Sequence, residues 1–351
     1  MTIADLAERL GLTKGTVSRA LNGYPDISER TKRRVERAAK KIGYRPLSHA
    51  QAIKTGRARS LGLVLNVDAD NAHKPFLTDF LDGISRKVSE ENWTLTVATA
   101  TSEADVLETF RRLVHERKVD GFILPRTRIR DPRIDFLRQA GLPFVLFGRT
   151  ANPDGCAWFD IRGEDAMKRA VLRLAGFGHR RIGFINGGAE YNYNPLRREG
   201  FLAGLRAAGL EADGRIMRDG AMTSAHGHSL GAELLDLDDR PSAIVCALDA
   251  AALGVYRAAR ERGLEIGSDL SVIAYDGIPE GDHASPPLTT FSVDSRAAGA
   301  RLAEILLLRI RGAPPEALRE TVDAVLTERS SDGPPAGKYK KQAPAYVPTT
   351  T

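Results

Sequence analysis

Between Gly11 and Gly23 the chain runs Leu12-Thr13-Lys14-Gly15-Thr16-Val17-Ser18-Arg19-Ala20-Leu21-Asn22. At helical spacing Val17, Ala20 and Leu21 share an apolar face, which leaves Lys14, Gly15 and Arg19 on the outward one. An arginine fork can donate twice to guanine O6 and N7, so Arg19 is the candidate base reader. Thr13, Thr16 and Ser18 can reach phosphate oxygens, contacts that position a module without reading sequence. Asn22 closes the run and is grouped with these candidate contacts. A second set of reactive groups stands far downstream. Asp249 and Asp276 follow strand-like runs that end at Cys246 and Tyr275. Ligands of open α/β sheets sit beyond the carboxyl ends of strands. A carboxylate there can accept two hydroxyl hydrogen bonds, which suits a sugar.

Other chemistries find no constellation. Gly176-Phe177-Gly178-His179-Arg180-Arg181 fails the dinucleotide fingerprint at its third glycine and precedes a strand rather than following one. His226 and His228 stand two apart without a third ligand, so zinc is not expected. Cys156 and Cys246 form no CxxC pair, and no GxSxG or Walker pattern occurs. No cofactor, no metal and no enzymatic activity are expected.

The elements that must hold the first group are short helices. Thr2 can cap a helix over residues 2–10, with Asp5 as its capping partner and Ile3, Leu6, Ala7 and Leu10 on one face. Gly11 stops it, Thr13 caps the next, and Ser28 opens a longer helix that closes at Gly43. Two short helices joined by a tight turn and braced by a third form a helix-turn-helix. Such a turn lets the second helix enter the major groove. The charge agrees: residues 1–60 hold 14 Lys+Arg against 5 Asp+Glu, a surplus of +9, within a 351-residue chain whose net charge is only +6. A local cationic excess is the footprint of a polyanion binder, the alternative being a solvated charged helix.

The remainder, slightly acidic, alternates. Strand-like runs at 61–65, 94–97, 121–124 and 143–147, then 181–185, 243–246 and 271–275, are separated by helix-period segments. That alternation argues parallel sheets with helices on both faces, in two successive sets of which the first ends near Asp160. The longest apolar runs, such as Leu61 to Leu65, fall far short of a membrane span. The N-terminus has no basic region followed by an apolar stretch, so the cytoplasm is the expected compartment and no membrane partner is expected. The Pro- and Lys-bearing stretch 332–351 is expected to be a disordered tail.

Thr2-Ile3-Ala4-Asp5-Leu6-Ala7, Thr16-Val17-Ser18-Arg19-Ala20-Leu21-Asn22 and Gly43-Tyr44-Arg45-Pro46 together resemble the LacI/GalR family of bacterial transcription regulators. The resemblance extends over about residues 2–331. It implies an all-α helix-turn-helix headpiece at 1–46 and a hinge helix at 47–59, followed by an α/β sensor like a periplasmic sugar-binding protein. The sensor's first lobe would comprise 60–160 and 292–320, its second 161–291 and 321–331. In particular, the strand and helix of Leu288 to Arg311 would return to the first lobe, and Thr321 to Thr327 would add a strand to the second. It further implies a homodimer or tetramer on a palindromic duplex operator, with a small sugar effector in the cleft. Ile53, where the family usually has Leu, would wedge into the minor groove beside Lys54, unless this segment is a plain linker. By the same resemblance Phe76, Asp160, Tyr191, Tyr193, Arg197, Met222, Asp249 and Asp276 would face the effector. Asp276-Gly277 is equally good turn chemistry, Arg197 suits a surface helix, and Trp158 and Phe147 suit a core. Leu248 and Gly277 stand where the family often has polar residues, which removes polar reach. Ser48 to Gly56 and Tyr275 to Gly281 look like the alpha-glucoside regulators of the family. A purine or sugar-phosphate corepressor, or a sugar-binding module without DNA activity, are the alternatives.

Overall fold

A computed structural model describes residues 2–21, 23–43, 57–67 and 74–335. The chain divides into two compact units, Met1–Arg59 and Ser60–Thr351.

In the first unit, α1 (Ile3–Leu10), α2 (Lys14–Leu21) and α3 (Glu29–Lys41) form from the caps that the sequence offers. The Thr2 amide donates to Asp5 Oδ2 at 2.8 Å while the Asp5 amide donates to Thr2 Oγ1, a reciprocal cap. Gly11 ends α1 at φ +62°, a left-handed conformation that favours glycine. Thr13 Oγ1 accepts from the Thr16 amide at 3.1 Å and Ser28 Oγ from the Thr31 amide at 3.3 Å. Leu6, Ala7, Val17, Ala20, Val35 and Ala39 close a small core. Arg34 donates to the Leu10 carbonyl at 2.8 Å and so braces α3 against the end of α1.

The second unit holds two six-stranded sheets. The first is built from β1 (Ser60–Asn66), β2 (Thr94–Ala100), β3 (Gly121–Pro125), β4 (Phe144–Phe147), β5 (Ala157–Ile161) and β11 (Arg319–Val322), all pairing in parallel in the order β11-β5-β4-β3-β1-β2. The second takes β6 (Ile182–Ile185), β7 (Met217–Arg218), β8 (Ala243–Cys246), β9 (Ser271–Asp276), β10 (Thr289–Ser292) and β12 (Val325–Thr327), in the order β12-β10-β9-β8-β6-β7 with only β12 antiparallel. Helices cover both faces, so strands such as β3 and β8 read as continuous apolar runs. The cores under α4 (Lys74–Glu90) and α12 (Ser295–Ile310), and under α5 (Glu103–His115) and α6 (Pro132–Gln139), sandwich the first sheet. Those under α7 (Gly163–Gly176) and α8 (Tyr193–Ala207), and under α9 (Ser224–Leu235) and α10 (Asp249–Glu261), sandwich the second.

The chain crosses between the sheets three times: after Ile161, between Ser292 and Ser295, and between Val322 and Val325. This corrects two expectations. The strand β10 stays in the second sheet, paired with β9, and only helix α12 returns to the first; Thr321 and Val322 belong to the first sheet, and only Val325–Thr327 to the second. Strands this short carry a period but not the identity of the neighbour they pair with, which long-range burial decides. Arg162 and Asp323 form a two-point ion pair at 2.6 Å that ties two of the crossovers together. The start of the supposed tail is also packed. Asp332 accepts from Thr289 Oγ1 and Arg173 Nε, each at 2.5 Å. The Gly333 carbonyl accepts from Ser271 Oγ at 3.0 Å and from His179 Nε2 at 2.9 Å. Burial holds His179 below the usual imidazole pKa. Residues beyond 335 lie outside the described ones.

Helix α8 crosses α7 at Gly200, where a Cβ would stand 2.0 Å from the Glu164 carbonyl oxygen. Gly200→Ala is therefore expected to cost about 1–3 kcal/mol by forcing the two helices apart. Urea unfolding checks this; an unchanged midpoint would show that the helices separate freely.

Candidate functional site

Residues from the carboxyl ends of β3, β4, β5 and β9 and from the starts of α7 and α8 line one cavity of about 160 Å³. Three arginines (Arg126, Arg149, Arg197) and three acids (Asp160, Glu164, Asp276) share its wall with Phe147, Tyr193 and Tyr275. The charges pair within the wall. Arg149 donates from Nε to Asp160 Oδ2 at 2.5 Å and from Nη2 to Glu164 Oε1 at 2.6 Å.

Arg197, buried on α8, is held by three groups. Its guanidinium lies 4.0 Å from the Tyr275 ring centre and 4.5 Å from that of Tyr193, and Nη1 donates to the Ala247 carbonyl at 2.5 Å. A desolvated cation between two aromatic faces gains about 2 kcal/mol or more. Gly163 makes room for it, since a Cβ there would stand 2.8 Å from Arg197 Nε. Two buried atoms of the wall, Arg197 Nε and Glu164 Oε2, have no hydrogen-bond partner among the described residues. Asp276 sits at φ +129°, an unusual value for a residue with a side chain, and such strain of about 1–3 kcal/mol concentrates at functional sites. Burial pushes its carboxyl up to about 7, against the pull of Arg197 and with Asp249 adding to the push.

Backbone contacts close one side of the cavity. The Asn192 amide donates to the Thr127 carbonyl at 2.9 Å, its side chain to the Arg149 carbonyl at 2.8 Å, and the Ile129 amide to the Glu190 carbonyl at 3.0 Å. These join the loops after β3 and β4 to the loop after β6 and thus link the two lobes.

In the first unit, Thr13, Lys14, Gly15 and Arg19 are exposed on one side of α2, and Thr16 and Ser18 are half-buried beside them. Arg19 Nη2 pairs with Asp26 Oδ2 at 2.5 Å and its guanidinium lies 5.3 Å from the Tyr24 ring centre.

Residues 2–47 match the profile of bacterial regulatory proteins of the lacI family, and residues 171–331 that of the periplasmic binding protein-like domain. Over 342 residues, 95% of each chain, the sequence is 37% identical to the HTH-type transcriptional regulator AglR of Rhizobium meliloti (strain 1021). The chain belongs to the LacI family. It is therefore a DNA-binding transcriptional regulator and not an enzyme. Among solved LacI-type structures, a complex of the regulator CelR with cellobiose matches at TM-score 0.73 and 28% identity over 94% of this chain and 99% of that one. The lac repressor dimer bound to operator and an anti-inducer matches in fold at TM-score 0.80 and 24% identity, over 95% and 99%.

The LacI-family sensor brings Asp160, Tyr193, Arg197 and Asp276 to one cavity. Tyr191 and Met222 stand behind that wall: the Tyr191 ring stacks on Tyr193 at 5.5 Å, and Met222 Sδ accepts from the Tyr193 hydroxyl at 3.3 Å. Phe76 lies in the first turn of α4, but its side chain is outside the described residues, as are Asn22, Ile53 and Lys54. Asp249 requires correction. It is fully buried, and its carboxylate is consumed inside the lobe: Oδ2 accepts from the Gly277 and Ile278 amides at 2.7 and 2.9 Å, and Oδ1 from Thr290 Oγ1 at 2.6 Å. Burial pushes this carboxyl up while the three donors pull it down. Asp249 shapes the turn that carries Asp276 instead of facing the cavity. Phe147, expected in the core, both stacks on Phe80 at 5.5 Å and lines the cavity; Trp158 is half-buried under the Arg319 guanidinium. Arg126, Arg149 and Glu164 were missed, although a signal existed. Arg126 and Arg149 stand just past the ends of β3 and β4, where the strand-end rule applies as it does to Asp276.

Proposed function

We propose that this regulator is a repressor of carbohydrate utilisation genes, relieved when a small neutral sugar, an alpha-glucoside in our reading, binds between the sensor lobes. A homodimer would set two headpieces on a palindromic operator. In each, Arg19 would read a guanine while Lys14, Gly15, Thr13, Thr16 and Ser18 meet the backbone around it. Effector binding would then favour one arrangement of the lobes over the other, as any ligand-driven switch requires.

The observation that carries the sugar reading is the cavity's polarity. Three guanidinium groups and three carboxyl groups share its wall, and within it Arg149 already pairs with one oxygen of Asp160 and one of Glu164. The unpartnered Arg197 Nε needs an acceptor and Glu164 Oε2 needs a donor, and hydroxyl groups supply both. Tyr193 and Tyr275 add apolar faces. A phosphate would meet the Asp160 and Glu164 carboxyl groups as well as the guanidinium groups, which speaks against the corepressor alternative. The cellobiose bound to CelR, a relative in sequence and fold, supports the same class of ligand.

Calorimetry of the full-length chain against mono- and disaccharides and their phosphates tests this. A neutral sugar is expected to bind, and to weaken retention on duplex DNA. Binding of a phosphorylated sugar or a purine alone would overturn it. The pH dependence sharpens the test. Asp276 accepts hydroxyls most strongly, and on both oxygens, when ionised, so affinity should fall as pH falls through about 7, by up to roughly tenfold per unit. Asp276→Asn should flatten that profile; an equally steep profile in the variant would assign the titration to another group.

A further inference from the structure

We propose that Asp26 is a specificity-determining residue of the headpiece: it buttresses the Arg19 guanidinium as a base reader and withholds it from phosphates. The inference rests on the reading of Arg19 as the residue that meets a base edge.

Three observations place the group. Arg19 Nη2 and Asp26 Oδ2 are 2.5 Å apart, the Tyr24 ring centre is 5.3 Å from the guanidinium carbon, and the Tyr24 amide donates to the Arg19 carbonyl at 3.1 Å. The side chain is thus pinned at one edge by a carboxylate and on one face by a ring, while it remains half-exposed. An arginine has five N–H donors, so one Nη2 proton can stay on Asp26 while the rest of the fork keeps donors for guanine. A guanidinium that would otherwise sweep through many rotamers is held in one, which reduces the entropy lost when it docks on a base.

The carboxylate also sets what Arg19 avoids. Residues 1–60 carry only five acids among 14 basic residues. Asp5 caps α1 and Glu29 pairs with Lys32, whereas Asp26 sits against the candidate base reader. A phosphate approaching Arg19 meets the Asp26 charge as well. A guanine edge carries no net charge, only the partial charges of its acceptors, and meets less of that repulsion. Asp26 therefore lowers affinity for DNA in general and raises the ratio of specific to general binding, which is the quantity a regulator needs.

The test uses the full-length chain. A preferred duplex is selected from a randomised pool by the unsubstituted protein. Affinities at fixed salt are then measured for that duplex, its single-base-pair variants and a shuffled duplex, with Arg19→Ala, Asp26→Asn and the double variant. Arg19→Ala should abolish the preference at one base pair of each half-site. Asp26→Asn should cut discrimination at that same base pair about two- to fivefold and tighten the shuffled duplex by a similar factor, the ordinary weight of an exposed ion pair. The double variant should discriminate no worse than Arg19→Ala alone, because the two act as one unit. If Arg19→Ala relaxes the base pair and Asp26→Asn does not, the inference fails while the reading of Arg19 stands. A uniform loss on every duplex for Asp26→Asn marks a purely structural role and also overturns it. If Arg19→Ala keeps the full preference, the reading of Arg19 itself fails.

Discussion

Asp249→Ala is expected to unfold the sensor about 6–15 °C earlier than the natural chain, the equivalent of ~3–5 kcal/mol in a unit of this size. The carboxylate is fully buried and holds three donors: the amides of Gly277 and Ile278 and the Thr290 hydroxyl. Alanine leaves all three without an acceptor, and each unsatisfied buried donor costs about 1–3 kcal/mol, less whatever an entering water restores. Asn is no rescue, because its amide NH₂ would face an N–H donor where a carboxylate oxygen now accepts. The loss is local in origin. Gly277 turns at φ +79°, where a Cβ would stand 2.8 Å from the Ser292 side chain, so the turn between β9 and α11 (Pro279–Asp282) cannot be rebuilt by side-chain packing alone. Differential scanning calorimetry of the two proteins checks the expectation. An unchanged melting temperature joined to a lost effector response would return Asp249 to the cavity wall and remove its structural role.

Arg197→Ala should weaken effector binding by roughly 30- to 1,000-fold, about 2–4 kcal/mol, while operator binding by the effector-free protein persists. Arg197 is 8% exposed, and its guanidinium fills the space between the Tyr193 and Tyr275 rings. Truncation removes the cation from both faces, strands the Ala247 carbonyl and, on the proposed reading, takes away the Nε donor. Arg197→Lys keeps the charge but not the plane that two rings can stack on, so it should recover only part of the loss. Titration of the sugar identified by calorimetry gives the affinity, and fluorescence anisotropy of a labelled duplex gives DNA retention. Normal sugar affinity in Arg197→Ala would move the effector elsewhere. Loss of DNA binding without the sugar would mean that Arg197 supports the fold and not the ligand.

These two residues illustrate a reversal between sequence and structure. Both are charged side chains of second-lobe helices, and the family resemblance turns both toward the effector. For Asp249 the strand-end position suggests a ligand contact, yet the carboxylate finds three donors of its own lobe within 2.9 Å. For Arg197 an ordinary surface-helix role was equally open, yet it is buried between aromatic rings contributed by α8 and β9. Whether a polar group is spent inside the lobe or offered to a ligand depends on which donors and acceptors the fold brings to it.

What local sequence determined was everything that depends on near neighbours along the chain. The caps Thr2, Thr13 and Ser28 and the stop at Gly11 act over three or four residues, so the three headpiece helices and their cationic surplus could be read directly. The alternation of apolar runs with helix-period segments likewise marked two parallel-sheet lobes, because a strand buried on both faces must be apolar throughout. Tertiary structure alone decided where the chain crosses between lobes. It placed β10 in the second sheet and Thr321 in the first, joined Arg149 to Asp160 and Glu164, and folded Asp332 and Gly333 against β9 and β10. Those outcomes rest on pairings between residues far apart in the chain, set by the summed burial of whole sheets, and no window of local spacing carries that sum.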